Sequence, residues 1–206
     1  MKYDLSHLTQ DASQKVIGPI QDDEALFLYS IIVGMKLKTV FEIGGLSGYS
    51  ASNFLAAVGD DGRVFTVDIN PVQSRGHNHV CIQKDAREIT HADLNHSHLD
   101  LIFFDCHMYE EQMQTYHTLL NCGAIDDATV IALHDTNLHY QEFLVDECVY
   151  TQTVDGYEHQ PVERQMVNTF SDLGYDAFYL NTTRDRHSSQ FPCRHGVTVM
   201  NKRQRL

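Results

Sequence analysis

Basic residues are scarce in this chain: 15 Lys and Arg stand against 28 Asp and Glu in 206 residues, a formal charge of −13. A nucleic-acid binder needs a basic surface to neutralise phosphates, so that class is disfavoured. Arg184, Arg186 and Arg194 read as a solvated loop rather than a basic patch. No apolar run approaches the roughly 18 residues of a membrane span. The start, Met1-Lys2-Tyr3-Asp4, lacks a basic segment leading into an apolar one, so no secretory signal is expected and the cytoplasm is the default location. Five cysteines (Cys81, Cys106, Cys122, Cys148, Cys193) never form a Cys-x-x-Cys pair. Their odd number and scatter disfavour a disulfide framework and a structural zinc site. They read as small buried apolar residues. Hydrophobic residues at 42% and charged residues at 21% are an ordinary globular balance. The length suits one α/β domain spanning 1–206.

What is present is an alternation of strand-like and helix-like stretches, the pattern of a parallel sheet. Residues 1–20 form a polar lead-in. Acids at Asp22, Asp23 and Glu24 open a helix over 22–36, with Leu26, Tyr29, Val33 and Leu37 at helical spacing. Strands are expected at 39–43, 63–68, 80–83, 100–105 and 129–133. Helices are expected at 50–58, along Met113, Tyr116 and Leu120, and from Pro161 to Leu173. Two last strands follow at 177–180 and 196–200. The sum is a Rossmann-like, doubly wound, mostly parallel seven-stranded sheet with helices on both faces. Stretches 137–160 and 181–195 carry no clear period and read as loops.

Ligands of open parallel sheets bind at the carboxyl ends of the strands. Here each of the first five strands ends near an acid: Glu42, Asp68, Asp85, Asp105 and Asp135. One such residue means nothing, but five argue for a lined cleft. Strand one runs into Gly44-Gly45-Leu46-Ser47-Gly48, whose glycines let the backbone turn tightly and approach a ligand. A helix follows, so its free N–H groups face the same space. Asp68 lies about 20 positions further on, the usual distance to an acid that grips ribose hydroxyls. The alternative for Asp68 is a loop cap. The turn is not Gly-x-Gly-x-x-Gly, which disfavours a dinucleotide-dependent oxidoreductase and fits a nucleoside ligand without pyrophosphate.

Phe41-Glu42-Ile43-Gly44-Gly45-Leu46-Ser47-Gly48-Tyr49-Ser50 resembles the first motif of class I S-adenosylmethionine-dependent methyltransferases. The later acids fall in the same order as in that family, and the likeness covers roughly 22–200. The resemblance implies that Glu42, Gly44, Gly45, Ser47, Gly48 and Ser50 surround the methionine part of the donor. It implies that Asp68 binds the ribose, that Ile69 packs on adenine, and that Asp85 and Ala86 meet the adenine edge. Asp105 would close the site near the sulfonium.

A narrower resemblance is to small O-methyltransferases of the catechol and natural-product type. Asp105-Cys106-His107-Met108-Tyr109-Glu110 and Leu133-His134-Asp135-Thr136 carry it. That group holds a divalent metal, Mg²⁺ or Mn²⁺, which implies Asp105, His134 and Asp135 as ligands. Two hard carboxylates suit Mg²⁺, whereas the imidazole favours Mn²⁺ or later metals. The bland reading gives the two acids loop donors to satisfy and makes His134 a hydrogen-bonded histidine. Thr136 stands where catechol-type enzymes carry Asn, and no lysine base follows Asp105. His107 is the available general base, within the pKa range such a group needs. The expected reaction is O-methylation of a small-molecule acceptor. The alternative is a cofactor-binding protein without turnover on the same scaffold. Residues 137–160 and 181–195 would face the acceptor, with Tyr140, Phe143, Tyr150 and Tyr157 either lining its pocket or packing a lid. A homodimer is implied by analogy.

Overall fold

Each of the first five strands is short, rich in β-branched and aromatic residues, and flanked by loops or helices. In the computed structural model, residues 20, 22–46, 48–136, 151–153, 156–158, 162–180 and 196–203 are described. The elements run α1 (Asp22–Met35), β1 (Thr39–Ile43), α2 (Tyr49–Val58), β2 (Arg63–Asp68), β3 (His79–Gln83) and β4 (Leu101–Phe104). They continue with α3 (Tyr109–Asn121), β5 (Val130–Leu133), β6 (Thr151–Thr153), β7 (Gly156–Glu158), α4 (Val162–Asp172), β8 (Tyr175–Leu180) and β9 (Val197–Lys202). Seven strands form one sheet in the order β3-β2-β1-β4-β5-β9-β8, and β6 and β7 form a separate two-stranded ribbon. The first five strands of the sheet are parallel; β9 is antiparallel to both β5 and β8. The expected doubly wound, mostly parallel architecture is present. The strand order reverses between β1 and β4, which makes their carboxyl ends the topological switch point.

Alternation along the strands builds two apolar layers. Val40, Val64, Leu101, Phe103, Val130 and Ala132 point to one face, where Leu28 and Ile32 of α1 and Phe54 of α2 cover them. Phe41, Ile43, Phe65, Ile102, Phe104 and Ile131 point to the other, against Tyr116 of α3 and Phe170 of α4. Residues of β4 and β5 are fully buried on both faces, which explains their near-continuous apolar runs.

Two helical stripes differ from the expected ones. In α1 the buried apolar residues are Ala25, Leu28, Tyr29 and Ile32, while Leu26 is exposed. In α3 they are Met113, Tyr116 and Leu119, while Leu120 is exposed. Apolar residues occupy more than one face of each helix, so periodicity alone does not choose between adjacent registers. The cysteine expectation also needs correction: Cys81 and Cys106 are partly buried, and Cys122 is exposed. Cys148 and Cys193 lie outside the described residues, as do Tyr140, Phe143 and Tyr150. The β6–β7 ribbon falls within a stretch read as loop.

The amino end of the sheet is tied by one acid. Asp100, just before β4, accepts the backbone N–H groups of Lys38 (2.7 Å) and Thr39 (2.9 Å) at the start of β1. Asp100→Ala removes both bonds at a partly exposed site. It should lower unfolding free energy by about 1–2 kcal/mol, measured by urea denaturation, without moving the carboxyl edge.

Candidate active site at the carboxyl edge

The sheet register places Glu42 directly beside Thr66 of the neighbouring strand. Parallel neighbours point the same way, so the Thr66 hydroxyl donates to Glu42 Oε2 at 2.6 Å. The Ser50 hydroxyl, from the first turn of α2, donates to Glu42 Oε1. His79 Nδ1 accepts the Arg75 amide (3.0 Å), leaving its Nε2 2.8 Å from the Thr66 hydroxyl. Glu42 is thus the buried centre of a polar chain reaching across three strands. Burial pushes its carboxyl up to about 8, against the lowering hydrogen bonds of Ser50 and Thr66.

The glycine turn is shaped by close approach. Gly44 has φ +92, and a Cβ there would lie 2.4 Å from the Asp105 carbonyl oxygen. Gly48 has φ +72 and is the N-cap of α2. Asp68 Oδ2 accepts the amides of Gly45 (2.9 Å) and Leu46 (3.2 Å), and Oδ1 accepts that of Asn70 (2.8 Å). The acid after β2 therefore holds the turn after β1 in shape, as the loop-cap reading anticipates, while remaining at the cleft. Ile69 is 71% exposed and Leu46 67%. With the half-exposed Met108, they give the carboxyl edge three solvent-facing apolar side chains, one each after β1, β2 and β4. Asp85 caps a short 3₁₀ turn at Ala86–Glu88, and its carboxylate is gripped by Arg87 at 2.5 Å. Ser47 lies outside the described residues.

On the other side of the switch point, acids and imidazoles interlock. Asp105 follows β4; His134 and Asp135 follow β5. His134 Nδ1 is 3.1 Å from Asp105 Oδ1 and 3.6 Å from Asp135 Oδ1. Its Nε2 is 3.2 Å from Glu24 Oε2 in α1, and both side chains are fully buried. Glu24 Oε1 accepts the Gly196 amide, so this one acid joins α1, β5 and the entry to β9. His107 Nε2 faces Asp105 Oδ1 at 3.8 Å and Asp135 Oδ2 at 3.7 Å. Its Nδ1 lies 3.1 Å from Glu163 Oε1 at the start of α4. That oxygen also accepts the His107 amide (3.1 Å) and the Gln112 side-chain amide (3.2 Å).

Burial alone would lower both rings. The Asp135, Asp105 and Glu24 carboxylates outweigh it and hold His134 well above its ordinary value. Around His107, burial is likewise overcome, first by the Glu163 hydrogen bond and then by the carboxylate charges, raising the ring to about 9. Leu46, His107 and Asp135 all have positive φ (35, 56 and 53), an uncommon conformation that gathers at functional edges.

The structure brings Glu42, Gly44, Gly45, Gly48, Ser50, Asp68, Ile69, Asp105, His107, His134 and Asp135 to one edge of the sheet. Asp85 and Ala86 follow β3 on the same edge. Thr136 is turned away into the sheet, where its hydroxyl accepts from Thr198 at 2.8 Å. Two residues were missed by sequence reading, Glu24 and Glu163. Each stands in line with a buried stripe: Glu24 with Leu28 and Ile32, Glu163 with Met166, Val167 and Phe170. An acid at i−3, i−4 or i−7 of such a stripe is the signal that finds them.

Residues 41–136 match a family model described as a methyltransferase domain. No curated protein matches the chain. Among solved structures, cofactor-bound Rv0187 from MTB is 18% identical with TM-score 0.61, covering 98% of this chain and 88% of its own. An O-methyltransferase from Bacillus cereus, in complex with SAH, is 17% identical with TM-score 0.57, covering 96% and 90%. The O-methyltransferase TomG from Streptomyces achromogenes, in complex with SAM, is 14% identical with TM-score 0.57, covering 97% and 89%. At these identities the likeness establishes the fold. The strand order and the carboxyl-edge position of the site are those of a Rossmann-like α/β methyltransferase fold.

A carboxyl whose pKa rises on folding is favoured neutral in the fold. The Glu42 contribution is complete below about 4.5 and is lost as the pH rises through about 8. Thermal unfolding of the wild type should therefore lose stability across that window, by a few kcal/mol from this residue. Glu42→Gln should flatten the loss; an unchanged slope in the variant would contradict the burial-driven shift.

Proposed function

We propose that the protein transfers the methyl group of S-adenosylmethionine to an oxygen of a small-molecule acceptor. The observation that carries this reading is the meeting, at the switch point, of a glycine turn shaped by Asp68 with an acid–imidazole cluster centred on Asp105. Such a pairing puts a glycine turn suited to a nucleoside and a set of proton and cation acceptors side by side.

In this reading the turn from Gly44 to Gly48 lies along the donor's methionine and ribose; its glycines let the turn press against Asp105, Thr66 and Arg75, whose atoms occupy the space a Cβ would need. Gly45 and Ser47 belong to the same turn. Glu42 and Ser50 stand at the methionine end. Asp68, whose Oδ2 holds the turn and whose Oδ1 takes one amide, keeps acceptor capacity on Oδ1 for a ribose hydroxyl. Ile69 offers an apolar face to adenine, with Asp85 and Ala86 at the ring edge. Asp105 borders the sulfonium. The transfer is an in-line displacement: the acceptor oxygen bonds to the methyl carbon as the carbon–sulfur bond breaks. The acceptor proton is lost and neutral S-adenosylhomocysteine leaves. The protein's main contribution is alignment of the two partners and exclusion of water.

The donor set fits a divalent metal. Ligand atoms of Asp105, His134 and Asp135 lie within 4.8 Å of one another. A cation bound there would lower the pKa of an acceptor hydroxyl and help orient it. With no cation bound, His107 at the same place suits the proton-accepting role once its own proton has gone, a loss that Glu163, Asp105 and Asp135 oppose. We take residues 1–206 as one domain, with the acceptor met by 1–20, 137–160 and 181–195, most of which lie outside the described residues. Among the described residues no helix is long and apolar enough to cross a membrane.

Calorimetric titration with S-adenosylmethionine tests the reading. Saturable binding by the wild type is expected, weakened at least about tenfold in Gly44→Ala, where a Cβ would press on the Asp105 carbonyl. Absence of heat and of any thermal shift at millimolar donor overturns it.

A further inference from the structure

The two imidazoles in the cluster share one arrangement, reached from opposite layers of the fold. His134 is backed by Glu24 of α1, with Glu24 Oε2 3.2 Å from Nε2. His107 is backed by Glu163 of α4, with Glu163 Oε1 3.1 Å from Nδ1. The Glu163 oxygen is an acceptor for two amide donors already, so the His107 nitrogen facing it carries the proton. That fixes the ring and turns Nε2 toward Asp105 and Asp135. His134 presents Nδ1 to the same two acids.

A carboxylate behind one ring nitrogen, with the other aimed at a shared point, is how proteins orient histidine as a metal ligand. Donor atoms around one ion, at bonds of about 2.0–2.2 Å, stand roughly 3 to 4 Å apart. With one atom from each residue, Asp105, His134 and Asp135 gather within 4.8 Å. His107 Nε2 joins them at 3.8 Å from Asp105 Oδ1 and 3.7 Å from Asp135 Oδ2, while His134 Nδ1 is 3.1 Å from Asp105 Oδ1 and 3.6 Å from Asp135 Oδ1. Asp135 thus meets the two rings with different oxygens, as a bidentate ligand does. His107 is 26% exposed and the other three ligands are more buried, so the set is open on the His107 side toward the cleft.

We propose that His107 is a metal ligand, completing a two-histidine, two-carboxylate centre with Asp105, His134 and Asp135, oriented by Glu163 and Glu24. This rests on the methyl-transfer reading only for the purpose of the ion; the ligand set stands on its own geometry. Two imidazoles select a transition-metal dication of the Mn²⁺-to-Zn²⁺ range over Mg²⁺ or Ca²⁺, which prefer all-oxygen shells. Glu163 and Glu24 are positioning residues, not ligands.

The full chain, stripped with chelator, is titrated with Co²⁺, Mn²⁺ and Mg²⁺, and the Mn²⁺ form is examined by pulsed electron paramagnetic resonance. One Co²⁺ per chain is expected, at least about tenfold tighter than Mg²⁺, with couplings from two imidazole nitrogens in the Mn²⁺ form. His107→Ala should leave one coupled nitrogen. Glu163→Gln, which keeps the shape, should keep both but weaken Co²⁺ about 10–100-fold. One coupled nitrogen in the wild type overturns the proposal, even where His107→Ala does not fold. Mg²⁺ bound as tightly as Co²⁺, or no metal bound by a chain that takes up S-adenosylmethionine, overturns it too and leaves methyl transfer standing. Metal bound as expected without donor binding sinks the methyl-transfer reading and leaves the centre.

Discussion

The carboxyl edge depends on one close approach, between the backbone leaving β1 and the backbone leaving β4. The Asp105 amide donates to Ile43 O at 2.9 Å, and the Gly44 amide donates to Val67 O at 3.0 Å. Three neighbouring strands are therefore stitched up to the residue where the chain departs. A methyl group on Gly44 would lie inside the Asp105 carbonyl contact. The glycine is needed for proximity as much as for its positive φ. It lets the turn and the Asp105 cluster share one edge without a side chain between them.

That proximity is maintained by buried charge. Glu24, Glu163 and His134 are fully buried, and isolated ions there would be strongly disfavoured. Each is acceptable because its partners come from other elements: Glu24 meets β5 and the Gly196 amide, and Glu163 meets the loop after β4 and Gln112 of α3. Replacing one member would leave another buried without compensation, which costs more than an exposed pair ever contributes. The network is weakly informative about stability. It fixes where α1 and α4 lie relative to the strand ends, and thereby where two imidazoles point.

Much of this was legible in the sequence. β1 and β2 have the expected bounds because strong apolar alternation is cut off by polar or glycine-rich loops. The acid after each of five strands is visible because parallel topology sends every strand end to one side. What was not legible has specific causes. Glu24 and Glu163 sit in first helical turns, where an acid already has an ordinary explanation in the helix dipole. Their spacing from the buried stripe is the one sequence signal that they face inward, and the ordinary helix-start reading masks it. The β6–β7 ribbon has three-residue strands, too short for a period to emerge. The pairing of Asp85 with Arg87 is a two-residue local grip that competes with the ligand role expected for the acid.

The charge balance at the edge constrains how transfer can work. A sulfonium donor is cationic, and its positive charge disappears as the methyl group moves. In the proposed reading Asp105 borders the sulfonium and, if uncompensated, would stabilise the bound donor more than the transition state, and interactions that favour the ground state do not raise the rate. Compensation is therefore as necessary as the carboxylate itself. In the metal-free cluster it comes from the two imidazoles, whose hold on a second proton is strengthened by Asp135, Asp105 and Glu24 around His134 and by Glu163, Asp105 and Asp135 around His107. A bound dication would take over that role, so the rings need no longer carry the charge. In both states the two rings facing Asp105 and Asp135 are backed by Glu24 of α1 and Glu163 of α4.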